Sequence, residues 1–159
     1  MTRYRFMKAS IRMASLALLP IATLHGAPSA AADASSPIGL WKTFDDKTGS
    51  ARAIVRIYQQ DGKLFGRIAR SFTPGAESRV CGVCTDDRKN QPIIGLLIIR
   101  NIKLLDSDYG GGDILDPETG SVYRCKFHLD QGGTRLVVRG YIGFSLLGRT
   151  QYWQRQSSL

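Results

Sequence analysis

The chain has 159 residues, with 22 Lys and Arg against 13 Asp and Glu, a formal charge of +9, and two histidines. No block of five like charges occurs, and with the four basic residues of the first dozen set aside the excess is +5, which speaks to solubility and weak steering of anions rather than to a nucleic-acid partner. Three cysteines are too few for a scaffold built on disulfides, and the length suits one domain with an ordinary hydrophobic core.

The first segment reads as an export signal. Arg3, Arg5, Lys8 and Arg12 are followed by the uncharged apolar run Met13–Leu24, and then by Ala30-x-Ala32 as small residues at the −3 and −1 positions. This is the order of a cleavable secretory signal, with cleavage expected after Ala32. The run is shorter than the roughly 20 apolar residues a spanning helix needs, and no cysteine near the site offers a lipid anchor. The expectation is a signal peptide over 1–32 and a domain over 33–159, periplasmic or secreted, with no stable membrane insertion. Four basic residues and His25 belong to the leader, which leaves the domain with five excess positive charges and His128 as its one histidine.

The domain reads as short apolar or alternating runs divided by turn residues, the pattern of an antiparallel all-β fold. The predicted strands are Ile38–Phe44, Ala53–Tyr58, Leu64–Arg70, Ile93–Ile99, Asp113–Leu115, Val122–Leu129, Arg135–Ile142 and Thr150–Arg155. Asp45-Asp-Lys-Thr-Gly49, Asp61-Gly62, Asp116-Pro-Glu-Thr-Gly120 and Asp130-Gln-Gly-Gly133 supply the Asp and Gly that turns require. The run Ile93–Ile99 is apolar on both faces; its β-branched residues and leading Pro92 favour a buried strand over a short helix. The stretch Asp106-x-Asp108-Tyr-Gly-Gly-Gly-Asp113 lacks the closing Glu of an EF-hand loop and reads as a glycine-rich turn before a strand. Eight strands in so short a chain must manage their edges, and closing the sheet into a small antiparallel barrel does so. Such a barrel is either filled by side chains or keeps room for one small ligand.

The polar segment Thr73–Gln91 is longer than a hairpin needs and contains Cys81-x-x-Cys84. In an oxidising compartment the first expectation is a local disulfide between Cys81 and Cys84, stiffening a loop that becomes a candidate lid. A redox pair is the sharper alternative, but thioredoxin-like sites place the first Cys at a helix N-terminus, and here a polar, acidic stretch ending in Pro92 follows. Cys125-x-x-His128 could complete a zinc set; on a strand, however, residues three apart face opposite sides, so Cys125 reads as a buried free thiol and His128 as solvated. No acid in that strand orients His128, and no histidine-based catalytic set, metal site or cofactor motif is visible.

Several segments together resemble a bacterial family of exported proteins catalogued as domain of unknown function 2147. They are Gly39-Leu-Trp41 with Asp45–Gly49, Cys81-Gly-Val-Cys84, Pro92-Ile-Ile-Gly95, Gly112–Cys125, and Val138–Thr150 with Trp153 behind it. The resemblance implies a lipocalin-like barrel outside the cytoplasm and no particular reaction. Gly39-x-Trp41 is also similar to the opening of lipocalins, whose Trp packs against an Arg near the end of the barrel. Arg149 or Arg155 is the partner this implies, with the guanidinium stacked on the indole.

Two strands carry Arg-x-Tyr, Arg56-x-Tyr58 and Arg139-x-Tyr141, and alternation puts both members of each pair on one face. Each could present guanidinium donors beside a phenol to a carboxylate or phosphate. The competing reading places them on the solvated exterior, with Ala53, Val55 and Ile57, and Leu136, Val138 and Ile142, turned in, as apolar faces normally are. The functional expectation is an exported module that binds a small amphipathic ligand, a fatty acid or envelope lipid. The alternatives are an envelope structural or interaction protein with a filled barrel and a thiol oxidoreductase using the Cys-x-x-Cys loop. An interior without a pocket of about 300 Å³ would favour the filled barrel.

Overall fold

A computed structural model describes residues 33–159; the expected signal peptide and its cleavage site at Ala32 lie outside the described residues. Eight strands follow in order: β1 Gly39–Phe44, β2 Ala51–Gln60, β3 Lys63–Ser71, β4 Leu97–Leu105, β5 Asp108–Leu115, β6 Val122–Asp130, β7 Arg135–Tyr141 and β8 Gly148–Gln156. Each pairs antiparallel with the next, and β8 returns to β1, so the all-β sheet closes into a barrel without an edge. Alternation then sorts the side chains. On β2, Ala53, Val55 and Ile57 turn inward while Arg56 is exposed; on β6, Cys125 and Phe127 are buried while Arg124 and His128 are exposed.

One end of the barrel is plugged. Trp41, Ile57, Leu64, Ile102, Phe127 and Leu136, all near the Gly39 end of their strands, are buried together in the core. The indole of Trp41 donates to the Pro37 carbonyl at 2.8 Å, and the Arg155 guanidinium lies 4.3 Å above its ring. The same guanidinium donates to the carbonyls of Gly133 at 2.5 Å, Ser36 at 2.6 Å and Ile38 at 3.2 Å. Arg155 therefore ties the segment before β1 to the β6–β7 turn, and its burial lowers its pKa from the ordinary guanidinium value. Gly133 (φ +84°) lets that segment approach: a Cβ there would stand 1.9 Å from the Ala34 carbonyl oxygen.

The other end carries four loops, 45–50, 72–96, 116–121 and 142–147. The longest is folded as a lobe. The Cys81–Cys84 disulfide (Cα–Cα 5.5 Å) closes its tip, and the Val80–Pro92 bridge closes its base. Inside, the side chain of Arg88 is only 1 % exposed; Nε donates to both Asp86 oxygens at 3.0 Å, and Nη1 reaches the Leu97 carbonyl at 3.3 Å and Asp113 of β5 at 3.5 Å. Arg100 of β4 grips Asp87 with two bonds of 2.8 and 2.9 Å. The Arg88 hydrogen bond holds the Asp86 carboxyl down to about 2, and Arg100 lowers Asp87 in the same way. Burial acts oppositely on Asp113 and raises it. These bonds make the lobe a fixed wall of the barrel's open end rather than a free flap.

Two stretches differ from the sequence expectation. The strand predicted over Ile93–Ile99 begins only at Leu97, because Gly95 adopts φ +90° and a turn closes from Leu96 N–H to the Ile93 carbonyl at 3.2 Å. Ile93 and Leu96 are buried nonetheless. The strand instead continues through Arg100-Asn-Ile-Lys to Leu105, where polar residues alternate with buried Ile102. The predicted glycine-rich turn over 106–113 is a turn only at Asp106-Ser107; Asp108–Leu115 is strand, and its Gly112 passes so close to β4 that a Cβ would meet the Arg100 carbonyl oxygen at 2.0 Å.

Two outcomes follow for stability. Arg155→Ala removes three carbonyl bonds and the stacked cation, and should cost about 2 kcal/mol in urea unfolding, with Arg155→Lys recovering little because a point charge cannot reproduce the fork. Arg88→Ala leaves Asp113 without its counter-charge and should cost at least about 2 kcal/mol. Because Asp86 has a folded pKa of about 2, below its ordinary value of 3.8, its contribution is complete above about pH 4 and lost as pH falls toward 2. Asp113, raised by burial, works in the opposite sense: protonation relieves its penalty. In melting curves from pH 6 to 2, the wild type should lose more stability below pH 4 than Arg88→Ala does.

Candidate functional site

Above the plug the barrel is hollow. A cavity of about 280 Å³ opens at the other end, with residues of the 72–96, 116–121 and 142–147 loops in its lining. Its depth is apolar, lined by Val55, Ile68, Ile98, Val138 and Trp153; the register sets its floor, since Val55 lies opposite Trp41 and Ile68 opposite Val55. Small residues, Ala53 and Gly140, leave room in the wall. An engineered apolar cavity of about 150 Å³ suffices to bind benzene, so a space nearly twice that size admits a short chain or a pair of rings. It also lies just under the roughly 300 Å³ at which ligand pockets usually begin.

Polar groups gather at the rim: Arg52, Arg79, Arg149, Asp116, Glu118 and Gln151. Two Asp-x-x-Thr-Gly turns build it. In each, the Asp backbone accepts from the Gly N–H at 2.8 Å, and the Asp carboxylate accepts a backbone N–H two residues on, Lys47 or Glu118, at 3.0 Å. The bonds from Thr48 hold the Asp45 carboxyl below its ordinary value. Arg52 reaches from β2 to Glu118 of the second turn and, at 4.0 Å, to Asp45 of the first. Arg149 pairs with Asp46, which also accepts from Gln151 at 3.2 Å. Arg79, exposed on the lobe, has no carboxylate within 4.0 Å among the described residues. The repeated Asp-x-x-Thr-Gly was a signal in the sequence for the rim, but Arg52 and Arg79 carried none, since each lies outside any motif.

The residues singled out from sequence fall in different places. Of the two Arg candidates for packing on Trp41, Arg155 does so, and Arg149 serves the rim instead. Arg56, Tyr58, Arg139 and Tyr141 line no part of the cavity. They stand on the outer face, on strands separated by β8 and β1, so they do not converge. Tyr58 stacks on Phe65 at 5.9 Å and accepts from Arg67 at 3.1 Å. Arg139 spends its guanidinium on the carbonyls of Ser145 and Leu146 and on the Thr150 hydroxyl. The physical reason is the phase of each strand: Ala53, Val55 and Ile57, and Leu136 and Val138, take the inside, while Ile142, expected inside, lies past the end of β7 and is largely exposed.

Cys81 and Cys84 are joined, and both residues are buried, 1 % and 0 % exposed. Thiol–disulfide exchange needs an accessible sulfur, so this geometry suits a staple. Cys125 is a free, buried thiol whose pKa burial pushes well up, while His128 points outward from the same strand. The two therefore do not share a site.

Comparison with known proteins agrees with this architecture. A protein from Helicobacter pylori, HP1028, described as belonging to the lipocalin family, superposes with a TM-score of 0.66 at 16 % identity, covering 76 % of this chain and 83 % of that one. At that identity the likeness shows the fold. A search among curated protein sequences found no match. The family profile of uncharacterized proteins conserved in bacteria (DUF2147) matches residues 39–155, from the first residue of β1 to the arginine stacked on Trp41, and the chain belongs to that family.

Proposed function

We propose that this protein works outside the cytoplasm as a binding module for a small amphipathic anion, a short or medium-chain fatty acid or a related envelope lipid. The observation that carries the reading is the half-hollow barrel: an apolar cavity of about 280 Å³ with Val55, Ile68, Val138 and Trp153 in its wall and Arg52, Arg79 and Arg149 at its rim. The tail would lie against Val55, Ile68 and Val138. The head would meet Arg79, whose charge no carboxylate of the rim already neutralises. The cavity's modest volume favours a short chain over a whole phospholipid. Export is supported by the order of the first 32 residues and agrees with a stapled loop, because disulfides persist in oxidising compartments.

Native mass spectrometry and extraction of the protein purified from expressing cells should reveal a bound fatty acid. Adding decanoate at a hundredfold excess over its dissociation constant should stabilise the fold by about 2.7 kcal/mol, several degrees in Tm. Val138→Phe, which fills the cavity, should abolish that shift while keeping the fold, and Arg79→Gln should weaken decanoate without weakening decanol. A protein that extracts clean and whose Tm no fatty acid moves would sink the reading and favour a purely structural barrel.

A further inference from the structure

The β7–β8 loop, whose Ile142 and Leu147 edge the cavity mouth, is built of largely exposed apolar residues. Ile142, Phe144, Leu146 and Leu147 are 67, 81, 89 and 73 % exposed. Isolated exposed hydrophobics need no explanation, but four in six residues form a contiguous patch. The loop is also an ordered one. Leu147 N–H bonds the Phe144 carbonyl at 3.0 Å and Ile142 N–H the Leu147 carbonyl at 3.4 Å. Arg139, from the strand beneath, donates to the Ser145 carbonyl at 2.6 Å and the Leu146 carbonyl at 3.1 Å. Four of its carbonyls are thus satisfied within the protein while its apolar side chains stay largely exposed, Ile142 and Leu147 at the edge of the cavity. Backbone whose polar groups are already paired is what a low-dielectric layer tolerates.

The outer wall under this loop is cationic. Arg124 pairs across strands with Tyr141, the residue before the loop, and Lys126 pairs with Arg139 one step further down. Two residues of strand span about 7 Å, so both steps lie within roughly one screening length of the loop at physiological salt. Among the described residues neither Arg124 nor Lys126 nor Arg139 has a carboxylate within 4.0 Å; Asp113, opposite Arg124, is turned to Arg88. Like charges directly opposed on a sheet are unfavourable by themselves. An external anion would relieve them.

From this juxtaposition we infer that the open end docks on an anionic lipid surface, Phe144, Leu146 and Leu147 entering the headgroup layer and the Arg124–Lys126 strip meeting lipid phosphates. Apolar burial and attraction to anionic lipids are the two terms that hold peripheral elements on membranes. A convex tip suits a fluid interface, and the docked orientation sets the cavity mouth against the bilayer. The inference stands on the loop and the strip and does not depend on what the cavity holds.

The test is flotation with vesicles of phosphatidylcholine alone or with one-third phosphatidylglycerol, using the protein as purified from expressing cells, wild type and variants processed alike. Wild type should float with the anionic vesicles and lose at least ~10-fold in partitioning when salt is raised to 0.5 M or in Arg124→Gln/Lys126→Gln. Phe144→Ser/Leu146→Ser/Leu147→Ser should lose at least ~10-fold on the same vesicles with an unchanged Tm, since these side chains are solvent-exposed. A Phe144→Trp variant should blue-shift its added emission on anionic vesicles. Partitioning unchanged in the loop triple variant, or no flotation by the wild type, overturns the inference. Concentration-dependent dimers in light scattering that the triple variant abolishes, without vesicle binding, would assign the loop to a second copy instead.

Discussion

The barrel exists because a short seam holds. β1 and β8 meet over three residue pairs, Leu40 with Gln156, Trp41 with Arg155 and Lys42 with Gln154, and the central pair is the indole and guanidinium that stack on each other. A three-pair ladder is little by itself. The stacked cation reinforces it, and the three carbonyls that Arg155 gathers draw the preceding segment and the β6–β7 turn over the same end. Closure there gives the sheet an inside, and plugging there gives the inside a floor. The cavity is what remains above the floor.

The two ends are therefore built on different physics. The plugged end is held by large apolar side chains and one partly buried arginine. At the open end the apolar wall thins to Ala53 and Gly140, and charge takes over, with Arg52 and Arg149 joining turns that apolar contact does not reach. The lobe carrying the disulfide belongs to this second regime, since Arg88, Asp86, Asp113, Arg100 and Asp87 bind it to β4 and β5. Ion pairs of this kind lose strength in acid as their carboxylates protonate.

Much of this was legible in the sequence. The alternation of Tyr123, Cys125, Phe127 against Arg124, Lys126, His128 foretold which side of β6 turns in, and the Asp and Gly clusters marked the turns. The choice between Arg149 and Arg155 was not legible, because residues 149, 151, 153 and 155 share one phase of β8 and only register with β1 distinguishes them. The Arg-x-Tyr pairs show the limit of spacing: it places Arg56 with Tyr58 and Arg139 with Tyr141, but the partners of the opposite phase decide which face is outside. β4 was misplaced because Gly95 breaks an apolar run that composition alone would extend, while Arg100 and Lys103 disguise strand as loop. The rim was hidden for another reason. Arg52 and Arg79 lie 27 residues apart in sequence, and only the pairing of β2 with β3 and the fold of the lobe that follows bring both to one mouth.

Entry of an apolar chain into the hollow half of this barrel can be read from tryptophan emission. Trp153 lines the cavity and Trp41 lies in the plug opposite Val55, and these are the chain's two tryptophans, so decanoic acid brominated near its tail would bring a heavy-atom quencher against Trp153. Saturable quenching that disappears in Val138→Phe is the expected result. Tryptophan emission that the brominated acid leaves unchanged at millimolar concentration would mean that no chain enters the barrel.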